Sequence, residues 1–244
     1  MVNTRLCILE NDDLEGHMAE CYGRIGHMFE QLFRTAGFEG AIDIFNARRG
    51  EYPDHFEGYA AILLTGSRAD AFSDEDWIVR LREQVSQLLQ DGHRLLGVCF
   101  GHQLIAHCLG APVGRAEQGW GLGRQTYDWR GPEALGAGDQ IALLASHQDQ
   151  VKALPEGATL LASNAHCPIA AFALGQQVFC VQPHPEFTPE LSAFLLEKRR
   201  HLFGEAVYQD RMASLAQGHQ GLDMARFMLD FVQGRASLPE QAPA

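Results

Sequence analysis

Three residues could do chemistry together: a cysteine, a histidine and a glutamate. Cys99 stands between glycines in GVCFG, residues 97–101, where an apolar run stops and a helix-like pattern begins. A tight strand-to-helix turn projects such a side chain from the carboxyl edge of a sheet, where open α/β sheets bind ligands. It also sets the sulfur beside the positive end of a helix, which favours the thiolate. The backbone N–H that follows is left facing whatever the sulfur attacks. Gly97 and Gly101 let the chain turn and let neighbouring elements approach closely. The pattern is a nucleophile elbow with sulfur in place of a serine oxygen. A nucleophile needs a base, and the base needs an orienter. In VFCVQPHPEF an apolar strand ends at Gln182, His184 follows between Pro183 and Pro185, and Glu186 is two residues on. The prolines fix φ and predict a stiff extended segment. His184 could take the Cys99 proton while Glu186 holds the other ring nitrogen. This requires the two strand ends to be neighbours in space.

The elements around these residues are those of an α/β domain. TRLCILEN reads as a buried first strand, AIDIFNA as a second, YAAILLTGS as a third and HRLLGVC as a fourth. Between the first two strands, Met18, Tyr22, Ile25, Phe29 and Leu32 recur at helical spacing and predict one amphipathic helix, capped by Gly37. Ile78, Leu81, Val85 and Leu88 predict another, ended by Gly92. Alternating strand and helix implies a doubly wound, mainly parallel central sheet. From Gly110 to Gly138 periodicity weakens and glycine is frequent, which predicts a small antiparallel addition. GWGLG, residues 119–123, lacks the preceding parallel strand and full spacing of a dinucleotide loop. Three helical patterns follow from about residue 189 and form a C-terminal extension. The expected domain runs over 1–235, with a frayed tail at 236–244.

The 244 residues carry a formal charge of −12, and an acidic surface argues against nucleic acid or anionic membranes as partners. The N-terminus lacks signal-peptide features and no apolar run spans a bilayer, so a cytoplasmic protein is expected. The six cysteines are scattered without paired spacing, as expected of reduced thiols. No His/Cys cluster has metal-ligand spacing, and no metal or cofactor is expected.

GVCFGHQ with HPE downstream resembles the class I glutamine amidotransferases, the triad glutaminase domains. LLTGS, residues 63–67, is similar to the family's oxyanion strand end, and SHQDQV, residues 146–151, to a segment of the glutaminases of GMP synthetases. Order and spacing fit from Leu6 to about Thr188. The resemblance implies Cys99, His184 and Glu186 as a catalytic triad, with Gly66 and Phe100 backbone N–H groups as the oxyanion hole. It implies Gln103, Ser146 and His147 as substrate-binding residues, and a γ-glutamyl thioester as the intermediate. Two departures matter. Pro183 replaces the usual aromatic residue before the histidine, and the oxyanion loop reads LTGSRADAF in place of a glycine-rich run, with Arg68 and Asp70 beside the expected pocket. No synthetase domain follows, as in stand-alone members of the superfamily, which include γ-glutamyl peptidases.

Three readings follow. The chain hydrolyses a small γ-glutamyl peptide or amine alone, or it is a glutaminase delivering ammonia to a separate synthetase subunit. The third is a catalytically silent binding or regulatory protein on the same fold.

Overall fold

The computed structural model describes residues 4–131, 138–236 and 238. Its frame is a nine-stranded sheet of order β2-β1-β3-β4-β11-β10-β9-β6-β7. The first five are β1 (Arg5–Glu10), β2 (Ala41–Asn46), β3 (Ala61–Leu64), β4 (Leu95–Val98) and β11 (Val178–Val181), and all pair in parallel. The antiparallel half consists of β6 (Gly121–Trp129), β7 (Gln140–His147), β9 (Thr159–Ser163) and β10 (Ala171–Leu174). A separate two-stranded antiparallel sheet joins β5 (Val113–Arg115) to β8 (Asp149–Val151).

Side chains of the parallel strands alternate between two cores. Leu6, Ile8, Leu63, Leu96 and Val98 enter one, which is covered by α2 (Ile25–Thr35) and α7 (Gly221–Val232) through Phe29, Phe33, Phe227 and Phe231. Cys7, Leu9, Ile62, Leu64 and Leu95 enter the other. There α3 (Asp76–Gln90) contributes Ile78, Leu81, Val85 and Leu88, and α4 (Phe100–Cys108) contributes Leu104 and Ile105. A strand buried on both faces has no room for polar residues, so these strands read as continuous apolar runs.

The segment expected to form one helix is two: α1 (His17–Tyr22) and α2, parted at Gly23, whose φ is 69°. Glu10, buried at the end of β1, accepts from Arg24 Nε at 2.8 Å and from the Gly26 N–H at 3.2 Å. A carboxylate at a helix N-terminus favours a start there, and the periodicity of the apolar residues passes across the break. The extension comprises α5 (Pro189–Phe203), α6 (Glu205–Ser214) and α7. At the tail, Ala236 is buried and Leu238 packs against the core. Residues 237 and 239–244 lie outside the described residues.

Candidate active site

In the sheet order, β4 lies between β3 and β11, and all three point their carboxyl ends to one edge. The segments after them bring Gly66, Cys99 and His184 together. Cys99 is the sole non-glycine residue with positive φ among the described residues, at φ 52° and ψ −102°. Such a conformation costs on the order of 1–3 kcal/mol and persists only where its surroundings impose it. Here the Cys99 N–H donates to the Val181 carbonyl at 3.0 Å, the Gly101 N–H to the Thr65 carbonyl at 3.2 Å and the Gln103 N–H to the Cys99 carbonyl at 3.0 Å. A Cβ on Gly101 would lie 2.2 Å from the Leu64 carbonyl oxygen, and one on Gly97 would lie 2.8 Å from the Gly101 backbone. Both glycines are required by close approach, as the sequence implied.

His184 is fixed from two sides. Its N–H donates to the Leu144 carbonyl at 2.8 Å, which ties it to β7. The chain then turns at Pro185 and Glu186 and does not run on extended. The Glu186 carboxylate comes back to the ring, with Nδ1 donating to Oε1 at 2.7 Å. Phe187 stacks on the imidazole with centroids 3.8 Å apart. Burial alone would push the His184 pKa down. Glu186 and Cys99 outweigh it, and the imidazole rises to about 10. With Nδ1 held by Glu186, Nε2 is the nitrogen left for the Cys99 sulfur.

Gly66 lies against both groups. A Cβ there would be 2.9 Å from His184 Cε1 and 3.6 Å from Cys99 Cβ. The loop that carries it is anchored by the chain after β1. The Asn11 N–H donates to Thr65 Oγ1 and Asn11 Nδ2 to the Thr65 carbonyl, each at 3.0 Å, while the Thr65 hydroxyl donates to the Gly66 carbonyl at 3.1 Å. Asp12 accepts from the Arg68 backbone N–H at 2.8 Å and from its guanidinium through Nε and Nη2 at 3.0 Å each. Arg68 thus ties this loop to the chain after β1. Asp12, the partner, had no signal in sequence spacing. Phe100 is the first residue of α4, so its N–H has no acceptor within the helix.

A cleft opens beside His184 and Gly66. Its walls include Arg68, Ser146 and Phe187, and α5 adds Leu191, Phe194 and Arg199. Of the helices after Thr188, α5 shapes the cleft. Of the three residues expected on the substrate, Ser146 alone lines this cleft. Gln103 is buried, and its Nε2 donates to the Asp149 carbonyl at 2.8 Å and to Gln182 Oε1 at 3.0 Å. His147 is buried with its ring facing Gly121 and His166, and burial lowers its pKa to about 3. Asp70 is drawn away to Arg115. Trp120 lies under the Arg199 guanidinium. Among the described residues no group of three or more His, Cys, Asp or Glu side chains could hold a metal ion, and no helix is long and apolar enough to cross a membrane.

Residues 17–200 match the family described as "Glutamine amidotransferase class-I". Gamma-glutamyl peptidase 3 of Arabidopsis thaliana is 38% identical over 177 residues, covering 68% of this chain and 71% of that protein. A GMP synthase (glutamine-hydrolyzing) of Caldicellulosiruptor saccharolyticus is 33% identical over 127 residues, covering 51% of this chain and 24% of the synthase. The crystal structure of a glutamine amidotransferase from Thermotoga maritima superimposes with a TM-score of 0.70 at 19% identity, covering 96% of this chain and 97% of that one, which extends the likeness of fold over the C-terminal helices. The chain belongs to the class I glutamine amidotransferase family.

Proposed function

We propose that the protein hydrolyses a γ-glutamyl amide bond through a thioester on Cys99. The observation that carries this reading is a strained, buried thiol at the sheet edge beside an imidazole oriented by a buried carboxylate. The Cys99 sulfur attacks the γ-carbonyl carbon, and the carbonyl electron pair moves onto oxygen. The Gly66 and Phe100 N–H groups receive that oxyanion, each worth about 3–4 kcal/mol by comparison with other oxyanion donors. His184 gives its Nε2 proton to the departing nitrogen as the C–N bond breaks. A water then attacks the thioester, His184 takes its proton, and collapse releases glutamate and the Cys99 thiolate. Glu186 keeps the imidazole oriented and favours its charged form throughout. Ser146 meets the substrate in the cleft, and Gln103 and His147 hold the segment that carries it.

Stand-alone action on a γ-glutamyl peptide or amine is the preferred version. Its support is the relative named a gamma-glutamyl peptidase and the apolar wall that α5 builds over the cleft, where a leaving residue can pack. The likeness to GMP synthases supports a second version, in which glutamine is the substrate and ammonia passes to a separate synthetase. The six free cysteines fit a reducing cytosol.

The test is release of glutamate by the purified protein from glutamine and from a panel of γ-glutamyl peptides and amines, with Cys99→Ala as control. Cys99-dependent release from peptides with little from glutamine supports the first version. Release mainly from glutamine supports the second. No Cys99-dependent release from any of them, with or without a synthetase, would leave the silent-protein reading.

A further inference from the structure

Two arginines reach the cleft, and their surroundings differ. Arg68 is neutralised by Asp12 through two nitrogens. Arg199, on α5, has no carboxylate in ion-pair range among the described residues. Its Nη1 donates to the Ser146 hydroxyl at 2.5 Å, and its guanidinium lies 5.0 Å above the Trp120 ring. The remaining N–H groups have no acceptor among the described residues. Arg199 is half-buried, and burial pushes its pKa below the ordinary value while the charge at Cys99 pushes it back up. The guanidinium therefore sits within the electrostatic reach of the nucleophile. Lys198 adds a second cation to the same wall.

A cation drawn partly out of water, with planar donors unfilled and no carboxylate of the protein in ion-pair range among the described residues, is matched to an anion that arrives with the ligand. A carboxylate fits that fork, and the Ser146 hydroxyl gives it a further donor. We infer that the Arg199 guanidinium, steadied by the Ser146 hydroxyl, is a carboxylate anchor for the γ-glutamyl substrate. The inference rests on the hydrolase reading and deepens it. A γ-glutamyl peptide has two carboxylates, one on the α-carbon of the glutamyl unit and one on the leaving residue, and the experiment separates them.

Cys99→Ala protein, which leaves the substrate intact, is titrated by calorimetry with γ-glutamylglycine and with its two monoamides. Each titration is repeated after adding Arg199→Gln or Arg199→Lys, with thermal melts to verify folding. Arg199→Gln should weaken γ-glutamylglycine by about 30-fold or more, and Arg199→Lys by less. The monoamide lacking the anchored carboxylate should bind the parent weakly and lose little more on Arg199→Gln. The other monoamide should show the full loss. Insensitivity of the α-amide assigns the anchor to the glutamyl unit, and insensitivity of the glycinamide assigns it to the leaving residue. Equal loss on all three ligands, a loss under threefold, or no binding by the parent overturns the anchor. Hydrolysis by the wild-type protein is measured in parallel. Arg199-dependent binding without hydrolysis removes the hydrolase reading alone, and hydrolysis without Arg199 dependence removes the anchor alone.

Discussion

Glu186 Oε1 lies 2.7 Å from His184 Nδ1, with the glutamate side chain fully withdrawn from water and the imidazole 5% exposed. The carboxylate offsets what burial would otherwise do to the ring, and His184 stays protonated well above neutrality. In the proposed mechanism, proton donation to the leaving group depends on that form. The alkaline limb of kcat/KM should fall near pH 10 in the wild-type protein. Glu186→Gln should move it down and lower kcat by about 100-fold or more. pH–rate profiles of the two proteins decide this, and an unmoved limb would show that Glu186 does not set the imidazole charge.

The same shift has a stability consequence. A folded pKa of about 10 against the ordinary 6.5 stabilises the fold fully below pH 6.5, and this contribution is lost as pH rises toward 10. The stability gap between wild type and Glu186→Gln should be largest near pH 6 and shrink toward pH 10. Denaturant titrations at several pH values test this, and a gap that widens with pH would have the wrong sign.

Gly66→Ala puts a methyl group 2.9 Å from His184 Cε1. The ring or the loop must move, which disturbs both the proposed base and the proposed oxyanion donor. The expected result is a fall in kcat of about 100-fold with KM little changed. A loss confined to KM would place Gly66 in ground-state binding.

Asp12→Ala removes the main anchor of Arg68, leaving it Glu15 and the Asp13 carbonyl, and slackens the loop that carries Gly66. A fall in kcat of roughly tenfold is expected, from loss of alignment at the reacting atoms. Unchanged kcat would mean that the Asn11–Thr65 hydrogen bonds suffice to hold the loop.

Gly101→Ala forces a Cβ against the Leu64 carbonyl, and overpacking at such a point costs about 1–3 kcal/mol. A melting temperature lowered by several degrees is expected, with turnover reduced because α4 carries Phe100 and begins at Cys99.

Much of this was legible in the chain because the relevant constraints are local. GVCFG encodes a tight turn in five residues, and the apolar strand runs of β1, β3 and β4 encode burial on both faces. His184 and Glu186 are two residues apart, so the pair was legible in HPE, although the chain turns between them where the prolines implied an extended run. What was not legible depends on contacts between segments far apart. Gly23 breaks the expected helix because Glu10 captures Arg24, and spacing within residues 16–37 does not reveal that. Asp12 reaches Arg68 across 56 positions, and Arg199 reaches Ser146 across 53. Gln103 turns to Asp149 and Gln182 through side-chain hydrogen bonds that a motif does not specify.

The most direct measurement is mass spectrometry of the protein acid-quenched during turnover of a γ-glutamyl peptide. A mass increment of one γ-glutamyl acyl group on the peptide containing Cys99, absent from the other five cysteines and from Cys99→Ala protein, is the expected result. Rapid turnover with no acyl adduct under rapid quench, or an adduct on another cysteine, would contradict nucleophilic catalysis by Cys99.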